Sequence, residues 1–236
     1  MAEKCGPNFF DLEHSAFVAD LHFSHYWVNK QGEERGVILF ERTQFRTIQE
    51  HDVYIWRQLY SWAEKHQGHT LFILGDFGDV NQLWKLDRMR YEWNIYIVFV
   101  YGNHDSKEDY DKFCKHCDEV YLRPVYISDR VVISHEPVWP VPYGCVNVCG
   151  HLHNAVLDSP QSLCASIHVI NYQPFSWKKV CKALTVVPKA SYKFLEEPYN
   201  DHYISLVQRD DLVMDKNGKV DAKASIALKK KKGTYF

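Results

Sequence analysis

The sequence predicts an α/β protein. Three observations carry this: short apolar runs rich in β-branched and aromatic residues, amphipathic stretches with helical spacing, and the alternation of the two from residue 16 to residue 182. The runs are continuous rather than alternating, which is the pattern of strands buried on both faces.

Taken in order, the first strand is expected at Ala16–Ala19 and the first helix at Thr43–His66. In that helix Phe45, Ile48, Val53, Trp56 and Leu59 recur at roughly helical spacing, and the stripe of Trp56, Leu59, Trp62 and Ala63 reads as core. A second strand follows at Leu71–Leu74, a helix at Asn81–Glu92, a third strand at Ile95–Tyr101 and a helix at Ser106–Cys117. Strands at Val131–Ser134 and Val146–Cys149, and a helix at Phe175–Lys182 after Pro174, complete the pattern. The composition shifts near residue 183, so residues 1–183 are expected to form the main domain and 184–236 a C-terminal extension ending in Lys229–Lys232. That lysine run reads as a solvated tail rather than a nucleic-acid contact.

A chain of 236 residues can bury a sizeable core. A net charge of −2 argues against a dedicated polyanion binder, and 46% hydrophobic residues argues against disorder. No apolar run is long enough to span a bilayer, and the N-terminus lacks a signal-peptide pattern, so a cytoplasmic protein without membrane partners is expected. The seven cysteines, an odd number, suit reduced thiols. The thirteen histidines exceed the three methionines, a surplus that metal or proton chemistry would use.

Each expected strand ends in residues suited to metal chemistry. The ends read Asp20-Leu21-His22, Gly75-Asp76 with Asp79 shortly after, Gly102-Asn103-His104-Asp105, His135, and Gly150-His151-Leu152-His153. Carboxyl ends of strands are where sites assemble in α/β folds. Singly these signals are weak; jointly they deliver carboxylates, imidazoles and an amide to one rim. Mixed Asp, His and Asn donors without thiolate suit Mn²⁺, Fe or Zn²⁺ better than Ca²⁺. Two such ions can clamp a phosphate and lower the pKa of a water between them. The glycines before Asp76, Asn103 and His151 are expected to let the backbone turn sharply.

On these residues the sequence resembles the calcineurin-like metallophosphoesterase superfamily, and within it the small cap-less prokaryotic and phage-type members. The opening Asp20-Leu21-His22-Phe23-Ser24-His25 and the stretch Asn171-Tyr172-Gln173-Pro174-Phe175-Ser176 add to the likeness, which covers about residues 15–183. The resemblance implies two mixed β-sheets packed face to face with helices outside, a four-layer αββα fold. It implies that Asp20, His22 and His153 hold one divalent ion, that Asn103, His135 and His151 hold the other, and that Asp76 bridges. Mn²⁺ is the ion expected, with Fe, Zn, Ni or Mg as alternatives. His104 would face the phosphate and protonate the leaving oxygen, Asp105 would orient His104, and Asp79 would support the ligands. The implied activity is hydrolysis of phosphate esters by in-line attack of a metal-bridged hydroxide, leaning towards diesters of nucleotides or short nucleic acid, with nucleic acid as substrate only. A phosphomonoesterase, and a scaffold that binds metal without catalysis, are the competing readings.

Four weaker signals stay open. His25 either touches the substrate phosphate or caps the next segment. Arg42 either reaches phosphate or is a solvated helix-face arginine. Trp139 and Tyr143, on the proline-rich loop 136–143, either stack a substrate ring or pack within the loop. Cys114-x-x-Cys117 and Cys145-x₃-Cys149 have zinc-like spacing, but Cys149 sits in an apolar strand where a small buried side chain is expected.

Overall fold

The computed structural model describes residues 10–153 and 159–188, apart from the side chain of Phe40. The strands are β1 (Ser15–Val18), β2 (Tyr26–Val28), β3 (Glu34–Gly36), β4 (Thr70–Leu74), β5 (Tyr96–Val100), β6 (Glu119–Tyr121), β7 (Val125–Ser128), β8 (Val131–Ile133), β9 (Val146–Cys149), β10 (Ser162–Cys164) and β11 (Phe175–Ser176). The helices are α1 (Val37–Phe40), α2 (Ile48–Lys65), α3 (Trp84–Trp93), α4 (Tyr110–His116) and α5 (Trp177–Val186). A mixed α/β architecture results, with strands and helices interleaved.

One sheet has the order β11-β1-β4-β5-β6, a second β10-β9-β8-β7, and β2-β3 form a separate hairpin. Strands β1, β4, β5 and β6 run parallel, as do β8, β9 and β10. Alternate residues explain why the central strands read as unbroken apolar runs. Ala16, Val18, Leu71, Ile73, Ile97 and Phe99 pack with Ile55, Leu59, Leu86 and Phe113 of the helices. Their neighbours Phe17, Phe72, Leu74, Val98 and Val100 share a second cluster with Ile127, Val131, Ile133, Val146 and Val148 of the other sheet. Neither face of β1, β4 or β5 is left to water.

The five expected strands form within a residue or two of their expected bounds, but the long helix starts later than its periodicity suggests. Thr47 is the cap: its side chain accepts from Glu50 N at 3.1 Å, and Glu50 reaches back to Arg46 N at 3.0 Å. Phe45 lies outside the helix and meets the Tyr172 ring edge-on at 5.7 Å. The hairpin β2–β3 has no counterpart in the expected elements. Its three-residue strands are half-buried to exposed, and its turn is held by Asn29 Oδ1, which accepts from Gln31 N and Glu33 N.

Helix α5 runs to Val186, beyond the expected boundary at residue 183, and the chain divides into Met1–Pro188 and Lys189–Phe236. The extension from residue 189, with Lys229–Lys232, lies outside the described residues. Among the described residues, no helix is long and apolar enough to cross a membrane.

Candidate metal centre

The parallel strands β1, β4 and β5 end in the loops that carry Asp20 and His22, Asp76, and Asn103 with His104. Strands β8 and β9 lead into His135 and into His151 and His153. Asp20, His22, Asp76, His151 and His153 all adopt positive φ, between 46° and 68°. For a non-glycine residue this costs about 1–3 kcal/mol, so the surroundings must hold it. Asp20 N donates to Gly75 O and His22 N to Asp76 O, while His151 N donates to both Asp20 carboxylate oxygens at 3.0 Å. Ser166 Oγ also donates to Asp20.

Among the described residues, one group of His, Cys, Asp and Glu ligand atoms is close enough to hold a metal ion: Asp20, His22, Asp76 and His153, all within 4.8 Å of one another. Asp20, His22 and Asp76 are buried and His153 is half-buried, and several of their polar atoms lack partners. Both ring nitrogens of His22 and Oδ2 of Asp76 make no hydrogen bond. Leaving such atoms unpaired costs about 1–3 kcal/mol each, and a cation would satisfy Asp76 Oδ2 together with the one His22 nitrogen that carries the lone pair. Burial, then the nearby Arg42 charge, pushes the His22 pKa well below its ordinary value, which keeps its lone pair available.

A second convergence lies beside the first. Asn103 Oδ1 is 2.8 Å from His135 Nε2 and 2.9 Å from His151 Nδ1, and those two nitrogens are 3.2 Å apart. His135 Nδ1 donates to Leu74 O at 2.9 Å, so in the neutral ring Nε2 is a bare lone pair. It faces two other acceptors, Asn103 Oδ1 and, at 3.4 Å, Asp76 Oδ2. Atoms that share one ion at about 2.1 Å each stand about 3–3.5 Å apart, close to the 2.8–3.4 Å separations here. Asp76 Oδ2 is also 3.6 Å from His22 Nε2. A single unpaired oxygen thus stands between the two groups.

Glycines set the spacing. Gly75 turns with φ 80°, whereas Gly102 and Gly150 are needed for room. A Cβ on Gly102 would sit 2.2 Å from Asp76 Oδ1, and one on Gly150 2.8 Å from Asp20 Oδ2.

Three sequence expectations need correction. Asp105 does not turn to the His104 ring. Its carboxylate accepts from Asp76 N at 2.8 Å, Gly102 N at 2.7 Å and Phe77 N at 3.0 Å, so it ties the loops after β4 and β5 together. Asp79 caps the turn at Val80–Gln82, accepting from Asn81 N at 3.0 Å and Asn81 Nδ2 at 2.9 Å, which is where its carboxylate is used. Arg42 is neither solvated nor on the substrate side. It is fully buried and donates to Leu21 O at 2.9 Å, to Asp20 O and to His51 Nε2 at 2.7 Å.

From Arg42 the network continues. His51 Nδ1 donates to Asp52 at 2.8 Å, and Asp52 accepts from Ser24 N at 2.9 Å and Gln82 Nε2 at 2.7 Å. The whole loop from Asp20 to Ser24 is therefore clamped from beneath. Arg42→Met is expected to lower stability by about 3 kcal/mol, because two buried carbonyls lose their donor. Denaturant unfolding checks this; a substrate contact would instead raise KM at unchanged stability.

His25 and His104 are on the open side. A cleft of about 240 Å³ is walled by His22, His25, His104 and His153, with Trp27, Arg35 and Glu41 at its sides. The His25 ring stacks on His22 at 4.7 Å, and His104 approaches His22 edge-on at 5.6 Å. His104 N donates to Asp76 Oδ1 at 3.0 Å, so the same carboxylate that faces the ligands fixes the His104 backbone.

Sequence reasoning missed Glu41 and His168, which do not stand at the end of an expected strand. Glu41 Oε2 lies 2.5 Å from His153 Nδ1. Burial lowers the His153 pKa, but Glu41 and Asp20 outweigh it and leave the value raised. His168 stacks on His153 at 5.8 Å, and burial, then Arg42, lowers its pKa from 6.5 to about 4. Because the folded value lies below the unfolded one, His168 contributes stability that is complete above pH 6.5 and lost as the pH falls towards about 4. His168→Gln is expected to flatten the melting temperature against pH over that window in metal-free protein.

The cysteines and the proline-rich loop settle differently. Among the described residues no cysteine belongs to a group of ligand atoms close enough to hold a metal ion, and burial raises the thiol pKa values of Cys117, Cys145 and Cys149. Trp139 is 75% exposed and Tyr143 62%, so neither packs within the loop. No protein-family model matches this chain, and no curated protein matches it.

Proposed function

We propose that the chain is a dinuclear metal-dependent phosphoesterase of the calcineurin-like type, with the four-layer αββα arrangement that this implies, hydrolysing phosphate esters with a lean towards nucleotide diesters. The observation that carries the reading is Asp76 Oδ2, unpaired, buried, and flanked at 3.6 Å and 3.4 Å by nitrogens of His22 and His135. An oxygen so placed suits a carboxylate shared by two cations. Asp20, His22 and His153 would hold one, Asn103, His135 and His151 the other, and the donor set suits Mn²⁺.

Bound divalent cations supply charge neutralisation at the phosphoryl oxygens and a nucleophile at neutral pH. The chain's own residues do the rest. His104, exposed on the cleft wall, is placed to give a proton to the leaving oxygen, while His25 faces the entering phosphate. Asp105 fixes the backbone on which Asp76 and His104 stand, and Arg42 fixes the backbone of Asp20 and Leu21. Such support holds a site within the narrow tolerance that chemistry needs.

The test is Mn²⁺-dependent hydrolysis of an aryl phosphate diester beside the matching monoester. Faster diester cleavage is expected. A strong monoester preference overturns the diester lean, and an inactive protein that still binds two ions overturns the enzyme reading.

A further inference from the structure

The hairpin β2–β3 stands beside the cleft without a part in the metal chemistry, and two of its side chains line that cleft. Trp27 and Arg35 are directly opposite one another in the strand register, so they share one face of the hairpin. The indole is 47% exposed, a large apolar ring left open to water at the mouth of a polar site. It stands 4.9 Å from the His25 ring, which in turn stacks on His22. A short column of rings thus leads from the hairpin to the metal cluster. Arg35 gives one nitrogen to Glu33 at 2.5 Å in an exposed pair, which holds it weakly and leaves other donors free.

The hairpin is fixed in this position. Gly36 has φ 149°, and a Cβ there would meet His25 O at 2.5 Å, so only glycine lets β3 press against the segment carrying His25. Val37 N donates to His25 O at 3.1 Å on the same side. The indole is therefore presented on a braced wall rather than a loose arm.

We infer that Trp27 and Arg35 form the substrate-reading wall of the site, selecting phosphate esters that carry a planar base: Trp27 stacks the base, and Arg35 supplies positive charge beside the phosphate. This rests on the phosphoesterase reading above. An aromatic ring tolerates any base because each presents a π-face, so the selection is for nucleotides as a class rather than for one sequence.

The test compares thymidine 5′-(4-nitrophenyl phosphate) with methyl 4-nitrophenyl phosphate in the Mn²⁺-loaded protein. Both release the same leaving group and differ only in the nucleoside. Trp27→Ala is expected to lower the ratio of their kcat/KM values about tenfold, the factor given by a stacking energy of about 1.4 kcal/mol. Trp27→Phe keeps a ring and is expected to restore most of the ratio. Arg35→Ala is expected to weaken both esters alike, since both are anionic. A Trp27→Ala variant whose ratio is unchanged overturns the proposal. If neither ester is cleaved by the parent protein, the phosphoesterase reading fails by itself. Calorimetric binding of thymidine 5′-monophosphate against inorganic phosphate then decides the wall: a preference that vanishes in Trp27→Ala supports it, and no preference overturns it.

Discussion

Asp76→Asn is expected to lower metal-dependent hydrolysis by about 10³-fold or more while leaving the protein folded. The amide keeps the oxygen that accepts from His104 N at 3.0 Å. In place of Oδ2 it puts an NH₂ group between nitrogens of His22 and His135, which now stand 3.6 Å and 3.4 Å from an unpaired carboxylate oxygen. Lone pairs that lacked a partner gain a donor, so the metal-free variant should melt no lower than the parent. On the two-cation reading, what disappears is the negative charge shared between the ions. Melting curves with and without Mn²⁺, read beside turnover, separate the effects. The parent shifts upward with metal and the variant does not; full activity in the variant would falsify the bridging role.

Gly102→Ala is expected to destabilise the fold by about 3 kcal/mol or more and to disrupt the metal cluster at the same time. The new Cβ would lie 2.2 Å from Asp76 Oδ1 and 2.5 Å from Asp76 N. Neither atom can retreat easily. Asp76 N is bonded to Asp105 at 2.8 Å, Asp76 Oδ1 accepts from His104 N, and Asp76 itself has φ 53°. Overpacking at a site so constrained reaches the upper end of its usual cost. Denaturant unfolding and Mn²⁺ titration give the two readouts, and a variant with parental stability and metal affinity sinks the crowding argument.

The strands were legible because β1, β4 and β5 are buried on both faces and so leave an unbroken apolar signature. The residues gathered in the buried cluster, Asp20, His22, Asp76 and His153, were legible because strand ends are marked by those same runs. The site residues that read wrongly are those decided by main-chain partners. Arg42 binds two carbonyls and Asp105 three backbone N–H groups, and a main-chain group has no letter in the sequence. Arg42 near a helix start reads either as reaching phosphate or as solvated, and the resemblance makes Asp105 the orienting group of His104, until the geometry shows otherwise. The hairpin was missed because strands of three residues, none of them buried, are too short to generate a periodic pattern. The start of α2 was missed because Phe45 continues the apolar spacing while lying outside the helix, folded onto Tyr172.

The left-handed backbone beneath Asp20, His22, Asp76, His151 and His153 sets stability against chemistry at each of these positions. Glycine would relax the backbone there by a fraction of the about 1–3 kcal/mol that such strain stores, and it would remove the donor atom in the same step. Each of these five side chains is therefore carried at a cost to the backbone beneath it, a cost that glycine in the same place would not bear.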